Sequence, residues 1–301
     1  MSKTLITSEH PKGRQIIDLA RAALNKGKLD EKEAQRLIEQ GGEFQAGLRE
    51  LFTKFSRSNQ YASEVVASSF TYPSEYKGPK PLSKQIDLLV EAFGLSLGGT
   101  AEFVEKVLPK LTLPDGAEGW FAIPSIEAVA KRHFPEIKNP AERYCRAVEL
   151  IIEKLKGTRT VYNYRDGQLT TQYLRQHPRT IHAFDQILEQ QKGDILVVAA
   201  QFGMGHRGES VRRARELFKA SEFGLGGFAV GCMAFIHPER FVRYEQLHTD
   251  CAGDEYDFEA EGKWDRAPIW DFDGGRLGFD AGRVDYPYGS YGSVSGFLPE
   301  C

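Results

Sequence analysis

The sequence predicts an α+β protein in which an N-terminal helical region is followed by a mixed β-sheet with flanking helices. Three observations support this prediction. Residues 1–57 repeat apolar side chains at helical spacing, and residues 195–200 form an unbroken apolar run. Residues 269–272 and 276–279 flank an Asp-Gly-Gly turn, which is typical of a β-hairpin. We therefore expect a helical region over residues 1–80 and an α+β domain over residues 81–301.

The composition is that of an ordinary globular chain, with 301 residues, 41% of them hydrophobic and 27% charged, and a net charge of −3. Residues 249–300 carry 12 acidic and 4 basic side chains, which disfavours a surface that wraps nucleic acid. The four cysteines form no C-x-x-C pair. Because the sequence has neither a secretory signal nor an apolar run of membrane-spanning length, we expect a cytoplasmic protein without a membrane segment.

The N-terminal region predicts amphipathic helices. Asp30 and Glu33 have the spacing of a capping box at the start of the second helix, and Gly41 and Gly42 interrupt it. Helices of this kind are commonly packing or partner surfaces, so residues 1–60 are a candidate site for a protein partner. Residues 58–82 form a predicted loop with several aromatic and proline residues, which we interpret as the boundary to the second domain.

The next segments alternate between helices and short strands. Residues 83–93 and 100–111 predict short helices, and residues 119–123 a strand. Ser125 can cap a helix that ends at His133, and Asn139 with Pro140 begins another helix. Residues 158–164 resemble a strand, and residues 180–190 a helix.

The central strand leads into a glycine-rich turn and a helix. A continuous apolar run over residues 195–200 predicts a strand that is covered on both faces. The following turn has the form G-x-G-x-x-G and consists of Gly203, Met204, Gly205, His206, Arg207 and Gly208. Such glycines let backbone amides approach a phosphate, and Arg207 could add an anion contact. We therefore treat Gly203, Gly205, His206, Arg207 and Gly208 as a candidate site for a small anionic ligand. The alternative is a plain strand-to-helix turn.

The C-terminal third predicts several β elements. Residues 227–236 fit either a buried strand or a short buried helix, and residues 241–247 alternate loosely. A hairpin is expected over residues 269–279. The tail at residues 286–297 is rich in Gly, Ser and Tyr, and its aromatic side chains suggest that it docks onto the body of the protein.

A second candidate site lies at residues 248–255. His248, Cys251, Asp254 and Glu255 combine a histidine, a thiol and carboxylates on a predicted loop, and such groups can act as nucleophile and base or hold a divalent cation. The alternative is a solvated acidic loop with one semi-buried cysteine. The sequence contains no zinc-hydrolase motif and no P-loop, and no cofactor can be inferred from it.

Arginines of the helix at residues 207–219 allow a nucleic-acid hypothesis. Arg212, Arg215 and Lys219 share one side of the predicted helix. The alternative, which we favour, is the exposed face of an amphipathic helix paired with nearby glutamates.

Three segments resemble a family of bacterial conserved hypothetical proteins: residues 193–218, 237–256 and 291–300. The resemblance covers most of residues 118–300 and implies no activity, fold or ligand. Three hypotheses of function therefore stay open: a small-molecule binder or enzyme at the two loops, a nucleic-acid-binding protein, and a structural or interaction protein.

Overall fold

The computed structural model describes residues 7–56 and 59–299, and the chain divides into two compact units, residues 1–57 and 58–301. Within the described residues the chain forms ten α-helices and 11 β-strands, which confirms the α+β class. The predictions for residues 1–6, 57–58 and 300–301 lie outside the described residues.

The first unit consists of three helices, α1 (Pro11–Gly27), α2 (Glu31–Glu39) and α3 (Gly41–Ser56). The capping box is confirmed, because Glu33 N donates to Asp30 and Asp30 N donates to Glu33. Of the residues in this unit whose burial is described, only Gly13 is buried. Large apolar side chains of all three helices are exposed, among them Leu19 and Ile38, each 71% exposed.

The second unit contains the remaining elements. Its helices are α4 (Leu82–Phe93), α5 (Gly98–Lys106), α6 (Ile126–His133), α7 (Pro140–Lys156), α8 (Pro178–Gln190), α9 (Val211–Leu217) and α10 (Gly227–Ile236). Its strands are β1 (Gly119–Pro124), β2 (Val161–Asn163), β3 (Leu174–Gln176), β4 (Ile195–Gln201), β5 (Glu222–Gly224), β6 (His248–Asp250), β7 (Asp254–Tyr256), β8 (Arg266–Asp273), β9 (Arg276–Arg283), β10 (Tyr291–Ser293) and β11 (Ser295–Phe297). Ser125 and Asn139 cap α6 and α7 as predicted.

A four-stranded sheet is built around β4, in the order β1-β4-β11-β5. All seven residues of β4 are buried, as its unbroken apolar sequence predicts. Its neighbours β1 and β11 both run antiparallel to it, and β11 pairs antiparallel with β5. The C-terminal tail therefore docks as predicted, and it does so by inserting β11 into the sheet.

The second sheet has seven strands and is built around the hairpin of β8 and β9. This hairpin confirms the prediction over residues 269–279. β6 pairs antiparallel with β8 on one side and parallel with β10 on the other. Residues 241–247 form no strand, so the β element suggested by their loose alternation is wrong.

Helix α10 lies in the core and contacts a strand of each sheet. Nine of its ten residues are buried, and it contacts α7, β1 and β8. Its sequence therefore lacks a polar face, since a helix that is buried all round needs none. This resolves the choice between strand and helix at residues 227–236. Tyr76 belongs to the same core, so the predicted loop at residues 58–82 is part of the second unit.

Candidate functional site

The two candidate sites lie on opposite sides of one short strand, and residues 248–255 form β6, a three-residue connection and the start of β7 rather than the predicted loop. β6, which begins at His248, pairs with β10 through Tyr291 and His248. On the other edge of β10, Arg207 forms an antiparallel bridge with Gly292, and Gly208 N donates to Tyr291 O at 2.9 Å. Because neighbouring strands are about 4.8 Å apart, the two backbones are separated by about 10 Å.

The amides of the glycine turn are used by the protein itself. Gly203 N and Gly205 N donate to Gln201 Oε1 at 2.7 and 3.1 Å, and Met204 N donates to the Tyr72 hydroxyl at 2.9 Å. Gly203 has φ +111°, and a Cβ there would lie 3.0 Å from Gly292 O. The glycines thus serve the tight turn and its contact with β10. In this conformation the amides of Gly203, Gly205 and Gly208 donate to groups of the protein itself, which does not favour the predicted backbone mode of anion binding.

His206 projects from the turn into an ionic network. Its ring nitrogens bind Glu209 Oε2 and Glu222 Oε1, each at 2.8 Å, and Ser295 Oγ donates to Glu222 at 2.7 Å. Burial alone would lower the pKa of His206, but the hydrogen bonds to the two carboxylates outweigh it and raise the pKa to about 9. His206 is therefore charged at neutral pH and joins the turn to β5. Arg207 is exposed, and its guanidinium donates to Phe70 O.

The predicted catalytic residues do not converge on one another. His248 is buried between Tyr244 and Tyr291, and its Nδ1 accepts from Phe272 N at 3.2 Å. Burial, with the nearby charge of Arg240, lowers the pKa of His248 to about 4. Cys251 is fully buried, and burial raises the pKa of its thiol well above the usual value. A nucleophilic cysteine needs the opposite environment, one that stabilises the thiolate at an accessible position.

The two carboxylates of the predicted site also have separate partners. Asp254 is buried and accepts hydrogen bonds from the Tyr144 hydroxyl at 2.7 Å and from Gly227 N at 2.6 Å. Burial raises its pKa to about 7 despite these bonds. Glu255 pairs with Arg175 at 2.7 Å on the other side of β7. Asp254 thus joins β7 to α7 and α10, and Glu255 joins β7 to β3, while the catalytic role of these residues stays a prediction.

Helix α9 connects the two candidate loops. Ser210 caps it by accepting from Arg213 N, and the helix then directs Arg215 towards the loop that follows β6. Arg215 Nε donates to Ala252 O at 2.9 Å, and Nη2 donates to Asp254 O. Helix α9 therefore fixes its arginine against the backbone of the second candidate site.

A cavity of about 380 Å³ opens beside this contact. We call it the arginine pocket, and its lining residues are Gln60, Tyr61, His177, Arg179, Arg212, Arg215, Glu216, Phe218, Gly224 and Ala252. The guanidinium of Arg212 lies 4.3 Å from the ring centroid of Tyr61, and that of Arg179 lies 5.6 Å from that of Phe218. Two of its cationic groups are thus oriented against aromatic rings.

The charge of the arginine pocket is mostly positive. Arg212 binds Glu64, and Glu216 accepts from Arg213 and from the backbone amides of Gln60 and Tyr61. Among the ion pairs of the described residues, none includes Arg215. Burial lowers the pKa of Arg215 to about 10, although Glu255, Asp254 and Asp250 act in the other direction. Burial, followed by the charge of Arg215, lowers the pKa of His177 to about 4, so its ring is neutral at pH 7.

Sequence reasoning identified only part of this pocket. The sequence predicts a basic stripe of Arg212, Arg215 and Lys219. In the structure Arg212 binds Glu64, Arg215 is directed inward and Lys219 Nζ donates to Asp115 O. His177 and Arg179 come from the start of α8, where His177 Nδ1 caps the helix by accepting from Arg179 N. His177 and Pro178 begin α8, but nothing in the neighbouring sequence places them beside α9.

Residues 7–56 and 59–299 contain no group of three or more His, Cys, Asp or Glu side chains that could hold a metal ion. None of the helices described is long and apolar enough to span a membrane.

No protein-family model, curated protein or solved structure matches the chain. The resemblance over residues 118–300 therefore stays a prediction.

Proposed function

We propose that the protein binds a small anionic molecule, bearing a phosphate or a carboxylate, in the arginine pocket. The observation that supports this proposal is that Arg179, Arg212 and Arg215 line one cavity of about 380 Å³. Ligand cavities commonly have volumes of about 300–1,000 Å³. Guanidinium groups match the planar geometry of carboxylates and phosphates, which accept two parallel hydrogen bonds.

The lining also favours particular features of the ligand. The rings of Tyr61 and Phe218 support the guanidiniums and give the pocket two apolar walls. A ligand with an anionic group and a flat organic part would use both kinds of surface. This proposal moves the anion from the amides of residues 203–208, which are occupied, to the side chains of α8 and α9.

The test is a calorimetric titration of the full chain with phosphate, pyrophosphate, adenosine monophosphate and citrate. We expect Arg215→Met and Arg179→Met to weaken binding of the best ligand about 10- to 100-fold, because a hydrogen bond to a charged group contributes about 1.5–3 kcal/mol. Arg146→Met is the matched control, since Arg146 lies on α7 in a surface pair with Glu149.

The comparison of phosphates with citrate distinguishes the two anion classes. Because Arg215 donates to two backbone carbonyls and Arg179 to the carbonyl of Lys219, both variants are checked by thermal unfolding. The proposal is wrong if none of the four anions binds, or if both pocket variants bind them as tightly as the Arg146 control.

A second candidate function is interaction with a protein partner through residues 1–60. The observation that favours it is the exposure of nine large apolar side chains within residues 7–56. They are Ile16, Ile17, Leu19, Leu24, Leu29, Ile38, Phe44, Leu51 and Phe52. We also propose a reducing, cytoplasmic setting in a bacterium, which fits the buried free thiols of Cys145, Cys232 and Cys251.

A further inference from the structure

A second, smaller cavity is lined by Gly226, which leads into α10. We call it the apolar pocket, and its volume is about 180 Å³. Its inner walls come from the ends of β1 and β4, from α8 and from the first turn of α10. The residues that form them include Ile123, Phe184, Leu188, Leu196, Phe228 and Ala229.

The polar groups at the base of this pocket are already paired. Gly226 passes directly over the Tyr144–Asp254 pair, since a Cβ on Gly226 would lie 2.3 Å from each of their oxygens. The Tyr144 hydroxyl and Gly227 N both donate to Asp254. Among the described residues, no buried polar atom without a partner belongs to a residue that lines the apolar pocket. A ligand therefore needs no polar group to satisfy the base of the pocket.

The rim is charged, and its charges are largely balanced. Arg143 Nη1 donates to Glu127 at 2.5 Å, while Arg143 Nε donates to Ile137 O at 2.7 Å. Asp185 completes the rim from α8. Because Glu127, Arg143 and Asp185 line the pocket, the surrounding surface does not suit a broad apolar partner such as the face of a helix. The shape and chemistry instead suit a small molecule that enters between them.

The volume sets the size of that molecule. A dry cavity of about 150 Å³ lined by Leu, Ile and Phe binds benzene. We propose that the apolar pocket is a second ligand site, for a neutral aromatic or branched aliphatic group of about six to eight heavy atoms. This site is independent of the anion proposed for the arginine pocket.

The experiment is a titration of the full chain with toluene, followed by heteronuclear NMR and by thermal unfolding. We expect saturable shifts in the signals of Ala229 and Phe228 and a rise in Tm that follows toluene concentration. Ala229→Leu fills the cavity, so it should retain the Tm of the unliganded wild type and abolish the toluene response. Ala101→Leu, the same change at an exposed site on α5, should leave the response unchanged.

A second variant tests the same pocket in case Ala229→Leu does not fold. Ile181 lines the pocket and is 44% exposed, so Ile181→Glu should fold and weaken toluene binding at least tenfold. Both pocket variants should bind the best anion of the arginine pocket as the wild type does, which separates the two proposals. The inference is overturned if toluene produces no saturable response, or if Ala229→Leu and Ile181→Glu respond like Ala101→Leu.

Discussion

The charge on His206 is the most consequential single-residue feature of the glycine turn. Its ring lies between Glu209 and Glu222 and is only 11% exposed. The pKa is about 9 in the folded protein, against 6.5 for an unperturbed histidine. Because the folded-state pKa is raised, the stabilisation is fully present below pH 6.5 and is lost as the pH rises to 9 and beyond.

We therefore expect the free energy of unfolding to fall between pH 6.5 and 9.5, with His206 contributing about 3 kcal/mol of that decrease. Urea unfolding at pH 6, 7.5 and 9.5 measures it. His206→Gln should be much less stable than the wild type at pH 6, and the difference should shrink at pH 9.5. His182→Gln, a change at an exposed histidine of α8, is the control. A constant difference between His206→Gln and wild type across this range would contradict the assignment.

At the scale of elements, β10 is the part on which the turn depends. Gly292 is its middle residue, and a Cβ there would lie 2.0 Å from Gly203 O and 3.2 Å from Arg207 Cα. The backbones of β10 and the turn therefore approach one another as only glycine permits.

We expect Gly292→Ala to destabilise the protein by about 1–3 kcal/mol, because the backbone of the turn would have to move. Gly282→Ala is the matched control in β9, where the nearest atom to a new Cβ is Ile269 Cγ2 at an ordinary 3.5 Å. Chemical denaturation of both variants gives the comparison. Equal stabilities would show that the turn and β10 are not held as closely as the distances indicate.

The elements that could be predicted from the sequence are those specified locally. The cap at Ser125, the buried run of β4 and the hairpin of β8 and β9 each depend on residues close in the chain. The three-residue strands β5, β10 and β11 each contain a glycine and are too short to show a period of their own, because distant partners define them. The arginine pocket was missed in part for the same reason, since α8, α9 and residues 60–61 meet only in the folded chain.

At the scale of the whole molecule, Asp254 lies between the two proposed ligand sites. Its carboxylate holds Tyr144 and the start of α10 at the apolar pocket, and its backbone carbonyl holds Arg215 at the arginine pocket. Asp254, which the sequence predicts as part of a catalytic cluster, thus has contacts at both pockets. Both pockets belong to the second unit, which also contains every residue of the described core.

The first unit contributes nothing to that core, and this leads to a prediction about the intact chain. No residue of 7–56 belongs to the described core clusters, and its large apolar side chains are exposed. We expect a chain that lacks residues 1–57 to fold and to unfold within about 2 °C of the full-length Tm, since a loss of 1 kcal/mol would shift the Tm of a domain of this size by about 2–4 °C.

We also expect the full chain to associate as its concentration rises, because uncovered apolar helix faces favour contact with other chains. The shortened chain should remain monomeric. Light scattering coupled to size exclusion measures the association, and the Leu19→Ser and Ile38→Ser changes in the full chain provide the matched variants. If the shortened chain loses several degrees of Tm, the helices of the first unit support the second, and the interaction hypothesis for residues 1–60 loses its basis.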